Sequence, residues 1–121
     1  IRVTLSGRDT NNSMVDFVTS EIAKDIRKEK IKKILIAGLT YKANVPDFRN
    51  SLALKIYKKL SVKFKNIFAH DPYIKDKFNK YFKIYKKTNF NSYDKIYFLT
   101  NHDSYHKFKK LKNKKYSFLF N

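Results

Sequence analysis

The sequence predicts an α/β fold: a three-layer parallel sheet with helices on both faces, preceded by a long N-terminal helix. Short apolar runs such as ILIA (34–37) and KIYFLT (95–100) alternate with stretches whose apolar residues recur at helical spacing. The first run is apolar throughout, as expected of a strand buried on both faces of a parallel sheet. At 121 residues, with 42% hydrophobic and 17% aromatic content, the chain is one domain by size and can fill a core.

From Asn12 or Ser13, either a suitable N-cap, Met14, Val18, Ile22 and Ile26 form a helical stripe with Phe17 beside it, predicting a helix over about 13–29. Asp16 is assigned to its first turn, with Arg27, Lys28 and Lys30 near its end, the arrangement that the helix dipole favours. KKILIAG (32–38) is the first strand. Ser51 is placed to cap a second helix in which Leu52, Ile56 and Leu60 recur every four residues. KNIFAHDPY (65–73) reads as a strand stopped by Asp71 and Pro72. A lysine-rich amphipathic segment over 74–82, helical in its alternation, leads to a short strand at 82–85. KIYFLT is a further strand, followed by a helix over 103–111 and a last strand, YSFLF (116–120). Right-handed crossovers between parallel strands then place the helices on both faces.

Charge is the strongest compositional signal: 28 Lys+Arg against 10 Asp+Glu gives +18, a field attractive to polyanions. The lysines are spread from Lys24 to Lys115 among Asn, Ile, Tyr and Phe, and no nucleic-acid recognition signature accompanies them. A solvated basic surface is the better reading. With no cysteine, disulfides, thiolate metal sites and cysteine nucleophiles are excluded from this chain. That absence of cysteine fits a cytoplasmic protein. No apolar run approaches a membrane span and no signal-peptide pattern opens the chain, so neither membrane spanning nor secretion has support. The start at Ile1, without methionine, suggests a piece of a longer protein.

In an open parallel sheet, loops leaving the carboxyl ends of strands form the ligand crevice, and the longest such loop is GLTYKANVPDFRNS (38–51). Gly38 permits a tight exit, Lys42 and Arg49 can neutralise phosphate, and Asp47 can fix either cation by an ion pair. The alternative is that these charges only solvate a loop that Pro46 stiffens and Ser51 closes. A self-sufficient dinucleotide site would need GxGxxG, and the chain has only two glycines. Asp71 stands 33 residues after Gly38, too far for the ribose-binding acid, and reads as turn chemistry with Pro72. His102 and His106 have metal-ligand spacing, but the glutamate of H-E-x-x-H is replaced by Asp103, which suits a helix N-cap better. His70 reads as a packed or surface histidine, and no Ser/His/Asp triad can be picked out.

Gly38, Leu39, Thr40, Tyr41, Lys42, Asp47, Arg49 and Ser51 resemble the signature loop of the C-terminal UDP-sugar-binding domain of the UDP-glucose and GDP-mannose dehydrogenase family. HDPY (70–73), SYDKIYFLTNHDSYHKF (92–108) and GRDTNNSM (7–14) extend the resemblance over nearly the whole chain. The last segment and VPDFRNS are nearest the branch that oxidises UDP-N-acetylated hexosamines.

The resemblance implies a Rossmann-like domain over 32–121, cut short at its C-terminal end, with 1–31 the end of an interdomain dimerisation helix. It implies a cytoplasmic NAD-dependent homodimer that oxidises the C6 alcohol of a sugar nucleotide to a uronic acid for surface polysaccharide or capsule synthesis. Tyr41 and Lys42 would contact the UDP-sugar, and Arg49 would reach towards the NAD pyrophosphate. Gly38, Asp47 and Ser51 would shape the loop. The cysteine nucleophile and the NAD fingerprint would lie on domains outside this chain, leaving it inert alone. A helix built to meet those domains would leave Met14, Phe17 and Val18 exposed.

Overall fold

The structure is a computed structural model that describes residues 12–120. Residues 7–11 of the GRDTNNSM segment, and Asn121, lie outside the described residues. The elements are α1 (Asn12–Lys28), β1 (Ile34–Ala37), α2 (Leu52–Lys63), β2 (Ile67–His70), β3 (Lys77–Phe78), β4 (Lys83–Tyr85), β5 (Lys95–Phe98), α3 (His106–Lys109) and β6 (Tyr116–Phe118). Single 3-10 turns fall at Phe90–Ser92 and Asp103–Tyr105.

The strands form one sheet in the order β3-β4-β2-β1-β5-β6. β1 runs parallel to β2 on one side and to β5 on the other, with Ile34 opposite Ile67 and Lys95. All pairings are parallel except β3 with β4. Because successive side chains on a strand point to opposite faces, each central strand feeds two cores. Ile34, Ile36, Ile67, Ala69, Ile84 and Tyr97 meet Val18, Ile22 and Ile26 of α1 and Ile56, Tyr57 and Leu60 of α2. Leu35, Ala37, Ile96 and Phe98 face the other way, into a largely aromatic layer with Tyr93, Tyr105, Phe90, Phe108 and Phe118. The Phe98 ring stacks on that of Phe118 at 4.6 Å, and Phe90 on Phe108 at 4.7 Å. The three layers read from the sequence are therefore present, but the second outer layer is built from 3-10 turns and the one-turn α3.

α1 joins this core directly. Val18 is fully buried and Met14 partly so, whereas Phe17 is 53% exposed; of the three residues expected to be left bare, Phe17 alone is. The hydroxyl of buried Tyr97 donates to Asp25 Oδ2 at 2.5 Å, tying β5 to α1, and burial together with that carboxylate pushes the phenol well above its ordinary pKa. Asn12 and Ser13 lie inside α1 instead of capping it, and Asp16 lies beyond its first turn. At the other end, Ile31 N–H donates to the carbonyl of Ile26, with Lys30 between them at φ 53. That is a Schellman closure carrying lysine where glycine is usual, just past the end of the helix.

Two expected helices come out differently. Over 74–82 the chain makes a small antiparallel hairpin, because Asn79 Oδ1 accepts from the N–H groups of Tyr81 and Phe82 while Asn79 N–H donates to the Phe82 carbonyl. Asparagine bonding to its own following backbone competes with a helix, and here it prevails. The edge strand β3 is two residues long and carries lysine, which discourages pairing with other chains. The helix expected over 103–111 is a 3-10 turn followed by four α residues. Asp103 is inside that turn, with its N–H donated to Asn44 Oδ1, so it is no N-cap.

Two stability measurements follow. Lys30→Gly removes the left-handed strain of a side chain and is expected to raise unfolding free energy by about 0.5–1 kcal/mol in urea. His70, buried beside the aromatic layer with Nδ1 2.8 Å from the Tyr105 hydroxyl, has its pKa lowered to about 4, chiefly by burial. A depressed histidine pKa means that the unfolded chain binds the proton more readily. Its contribution is complete above the unfolded value near 6.5 and is lost as pH falls towards 4. Between pH 7 and 4.5 the wild type should therefore lose about 2 kcal/mol more than His70→Phe, measured by urea unfolding; equal losses would place the histidine charge in solvent.

Candidate functional site

The strand order reverses at β1: the chain proceeds from β1 through α2 to β2 on one side, and β5 lies on the other. The loop leaving β1 leads to α2 on one face, while the loop leaving β5 leads to the 3-10 turn and α3 on the opposite face. Diverging loops at the carboxyl edge of a parallel sheet define the crevice where such folds hold ligands. Residues 38–51 leave the sheet at that edge.

This loop is fixed at both ends and in the middle. Gly38 has φ 96, and a Cβ there would lie 2.6 Å from Thr100 Cβ and 2.7 Å from Thr100 N. No side chain fits. Gly38 N–H donates to the His70 carbonyl at 2.8 Å, and fully buried Leu39 donates its N–H to Asp71 Oδ2 at 2.7 Å. At the far end, Ser51 Oγ donates to the Leu39 carbonyl at 2.7 Å and accepts from Leu54 N–H at 3.1 Å, so one hydroxyl closes the loop and caps α2. Midway, Tyr41 N–H donates to the Asp47 carbonyl at 2.7 Å and Phe48 packs into the core. Asn44 and Asn50 take the two remaining left-handed positions, which asparagine tolerates.

Three segments meet over this loop. Asp71, fully buried, has Oδ2 also 3.0 Å from His102 Nε2, and its Oδ1 accepts from Tyr73 N–H at 2.8 Å. The turn role expected of Asp71 is therefore real but is only half of its bonding. His102, 1% exposed, reaches Thr40 Oγ1 at 3.2 Å and Asn44 N at 3.0 Å. Thr100 Oγ1 donates to the Thr40 carbonyl at 3.2 Å. Loops after β1, β2 and β5 are thus bonded to one another at the sheet edge.

The charged residues stand outside this lattice. Arg49, whose side chain is 88% exposed, makes a paired contact with Asp47 through Nε at 3.1 Å and Nη2 at 3.2 Å. Hydrogen bonds from Arg49 hold the Asp47 carboxyl below its ordinary range, with the Lys42 charge adding to the effect, and the same pairing raises the Arg49 guanidinium. Tyr41, Asp47, Arg49 and Asn50 line a shallow concavity of about 230 Å³. Tyr41 is 40% exposed, and Lys42 is exposed beside this concavity without lining it.

The structure does not bring His102 and His106 together. His102 is enclosed ahead of the 3-10 turn, while exposed His106 bonds to Asn101 Oδ1 at 2.9 Å. Among the described residues no cluster suits a metal ion, and no helix is long and apolar enough to cross a membrane. Sequence reasoning missed the roles of Asp71, Thr100 and His102. Their one shared signal is position, immediately or shortly after a strand on the ligand-bearing edge.

A profile of the UDP-glucose/GDP-mannose dehydrogenase family, UDP binding domain, matches residues 35–120. The UDP-N-acetyl-D-mannosamine dehydrogenase of Methanocaldococcus jannaschii is 41% identical over 71 residues, 59% of this chain and 16% of that protein. The UDP-N-acetyl-D-glucosamine 6-dehydrogenase of Pseudomonas aeruginosa is 32% identical over 76 residues, covering 60% and 18%. Among solved structures, the UDP-N-acetyl-mannosamine dehydrogenase Cap5O of Staphylococcus aureus superposes with a TM-score of 0.61 at 26% identity, over 78% of this chain and 23% of that one. This chain thus spans less than a quarter of the length of these relatives. It belongs to the UDP-glucose/GDP-mannose dehydrogenase family through the UDP binding domain.

The tight seat of Gly38 gives a direct check on the loop's origin. Gly38→Ala is expected to destabilise the fold by at least about 2 kcal/mol in urea unfolding, since strain and the clash with Thr100 add; a neutral substitution would contradict the close approach.

Proposed function

We propose, with that family membership as premise, that this chain is the nucleotide-sugar-binding part of an NAD-dependent UDP-sugar 6-dehydrogenase, and that loop 38–51 grips the diphosphate of its substrate. The observation that carries the reading is a loop locked by backbone and buried polar bonds at the switch point while Tyr41, Lys42 and Arg49 remain exposed. Rigid support with exposed cations is what a phosphate site needs, because little order has to be gained on binding.

In this reading Lys42 supplies a mobile point charge to the phosphates, and Tyr41 offers an aromatic ring to the base or sugar. Gly38, Asp47 and Ser51 shape the loop. Exposed ion pairs contribute little to stability, so Arg49 can exchange Asp47 for a phosphate oxygen at small cost. We assign it to the NAD pyrophosphate across an interdomain cleft. The chain does not form a dinucleotide cradle itself: the space above Gly38 is filled by Thr100, and the Ser51 hydroxyl already occupies a donor at the start of α2. NAD therefore belongs mainly to other parts of the polypeptide, as does the cysteine nucleophile, since this sequence contains no cysteine.

Residues 1–31 would be the end of the interdomain helix and 32–121 the nucleotide-sugar domain of a cytoplasmic homodimer. The names of the relatives favour a UDP-N-acetylhexosamine substrate. A standalone nucleic-acid module is not favoured, because the family match covers residues 35–120. Calorimetric titration of UDP into the protein and its full-length parent tests the assignment. Lys42→Ala should weaken UDP binding about tenfold, roughly one charged contact. Arg49→Ala in the parent should raise the KM for NAD and leave UDP affinity nearly unchanged. Equal UDP affinities for wild type and Lys42→Ala would remove Lys42 from the site.

A further inference from the structure

We propose that His102 is a positioning residue: a single imidazole, fixed in its Nε2–H tautomer, sets the backbone course of residues 40–44 and so the place from which Lys42 is presented. The ligand half of this inference rests on the nucleotide reading above; the tautomer and the loop geometry do not.

The tautomer follows from counting donors. Asn44 N lies 3.0 Å from His102 Nδ1, and a backbone amide can only donate, so Nδ1 carries no proton. The ring proton is then on Nε2, which faces Asp71 Oδ2 at 3.0 Å and Thr40 Oγ1 at 3.2 Å. Thr40 donates its own hydroxyl hydrogen to the Lys42 carbonyl at 2.8 Å, leaving its oxygen free to accept from the ring. Every donor in this relay has an acceptor, with one direction throughout: imidazole to carboxylate and threonine, threonine to the Lys42 backbone. The other tautomer would set an Nδ1–H against the Asn44 N–H and leave a buried donor unmatched, at a free-energy cost.

The ring is held from the sides as well. It is 1% exposed, and the rings of Tyr73 and Tyr105 lie 5.1 and 5.4 Å from it. Its contacts reach positions 40 and 44 directly and 42 through Thr40, which brackets the Lys42 backbone from both sides. Asn44 is clamped twice, since its side-chain Oδ1 accepts from Asp103 N–H at 2.9 Å. By contrast, the Lys42 side chain is exposed. The loop therefore sets the backbone point from which the ammonium is presented, and the loop is itself fixed by a residue on the neighbouring strand's exit.

Nitrogen-15 NMR of the wild-type protein should show His102 protonated on Nε2 and bare on Nδ1, with the Asn44 and Leu39 amides protected from hydrogen exchange. The opposite tautomer, or an unprotected Asn44 amide, would overturn the proposal. His102→Phe keeps a packed ring and loses all three polar contacts, to Asp71, Thr40 and Asn44; it should expose the Asn44 amide and weaken UDP binding about tenfold. His102→Asn can restore the acceptor for Asn44 and should recover that amide's protection in part, a rescue that general destabilisation would not give. Unchanged Asn44 protection in His102→Phe would refute the role even if UDP affinity fell. If His102→Phe does not fold, the wild-type tautomer and protection decide. Failure of the wild-type protein and its parent to bind UDP, with tautomer and protection as described, would refute the nucleotide reading while upholding His102 as the support.

Discussion

The arrangement depends on one buried carboxylate. Asp71 is fully enclosed at the end of β2, and a carboxylate removed from water is costly unless its oxygens are matched by donors. Leu39 N–H, Tyr73 N–H and the His102 ring supply them, each from a different part of the chain edge. The same requirement that makes Asp71 tolerable forces three loops to converge. A fold that merely alternated strands and helices would leave those loops free to move; this one bonds them together at the carboxyl edge of the sheet.

Division of labour follows within the 38–51 loop. Its small or buried residues, Gly38, Leu39, Thr40 and Ser51, spend their bonding on the scaffold, while Tyr41, Lys42 and Arg49 face solvent. Rigid backbone and exposed cations are compatible because the bonds that fix Gly38, Leu39, Thr40 and Ser51 are made largely by main-chain groups and short hydroxyls. The net charge of +18 adds a long-range attraction for a diphosphate, but its spread over the whole surface gives no specificity. Specificity has to come from the few positions that the lattice fixes.

Periodicity revealed what periodicity can. The buried strands 34–37, 67–70 and 95–98 and the capped helix after Ser51 were legible because burial on two faces and a hydroxyl at the N-cap both leave marks in local sequence. The helices expected over 74–82 and 103–111 were not formed as read, because Asn79 offers the backbone an alternative and Asp103 N–H is used by a residue 59 positions away. Lys30 in a left-handed closure was invisible for a related reason: glycine normally advertises such a site, and this chain has only two.

By itself, the sequence determined the α/β class, the loop that carries the cations, the absence of any cysteine chemistry in this chain and, through its motif, the family. Only the tertiary structure decided that Asp71 and His102 support that loop, that Thr100 closes over Gly38, and that Arg49 is paired with Asp47 while Lys42 stands beside the concavity. The reason is physical. Strand and helix patterns are written over a few adjacent residues, whereas hydrogen bonds between positions 39 and 71, or 44 and 102, exist only after the parallel sheet has brought the exits of β1, β2 and β5 together.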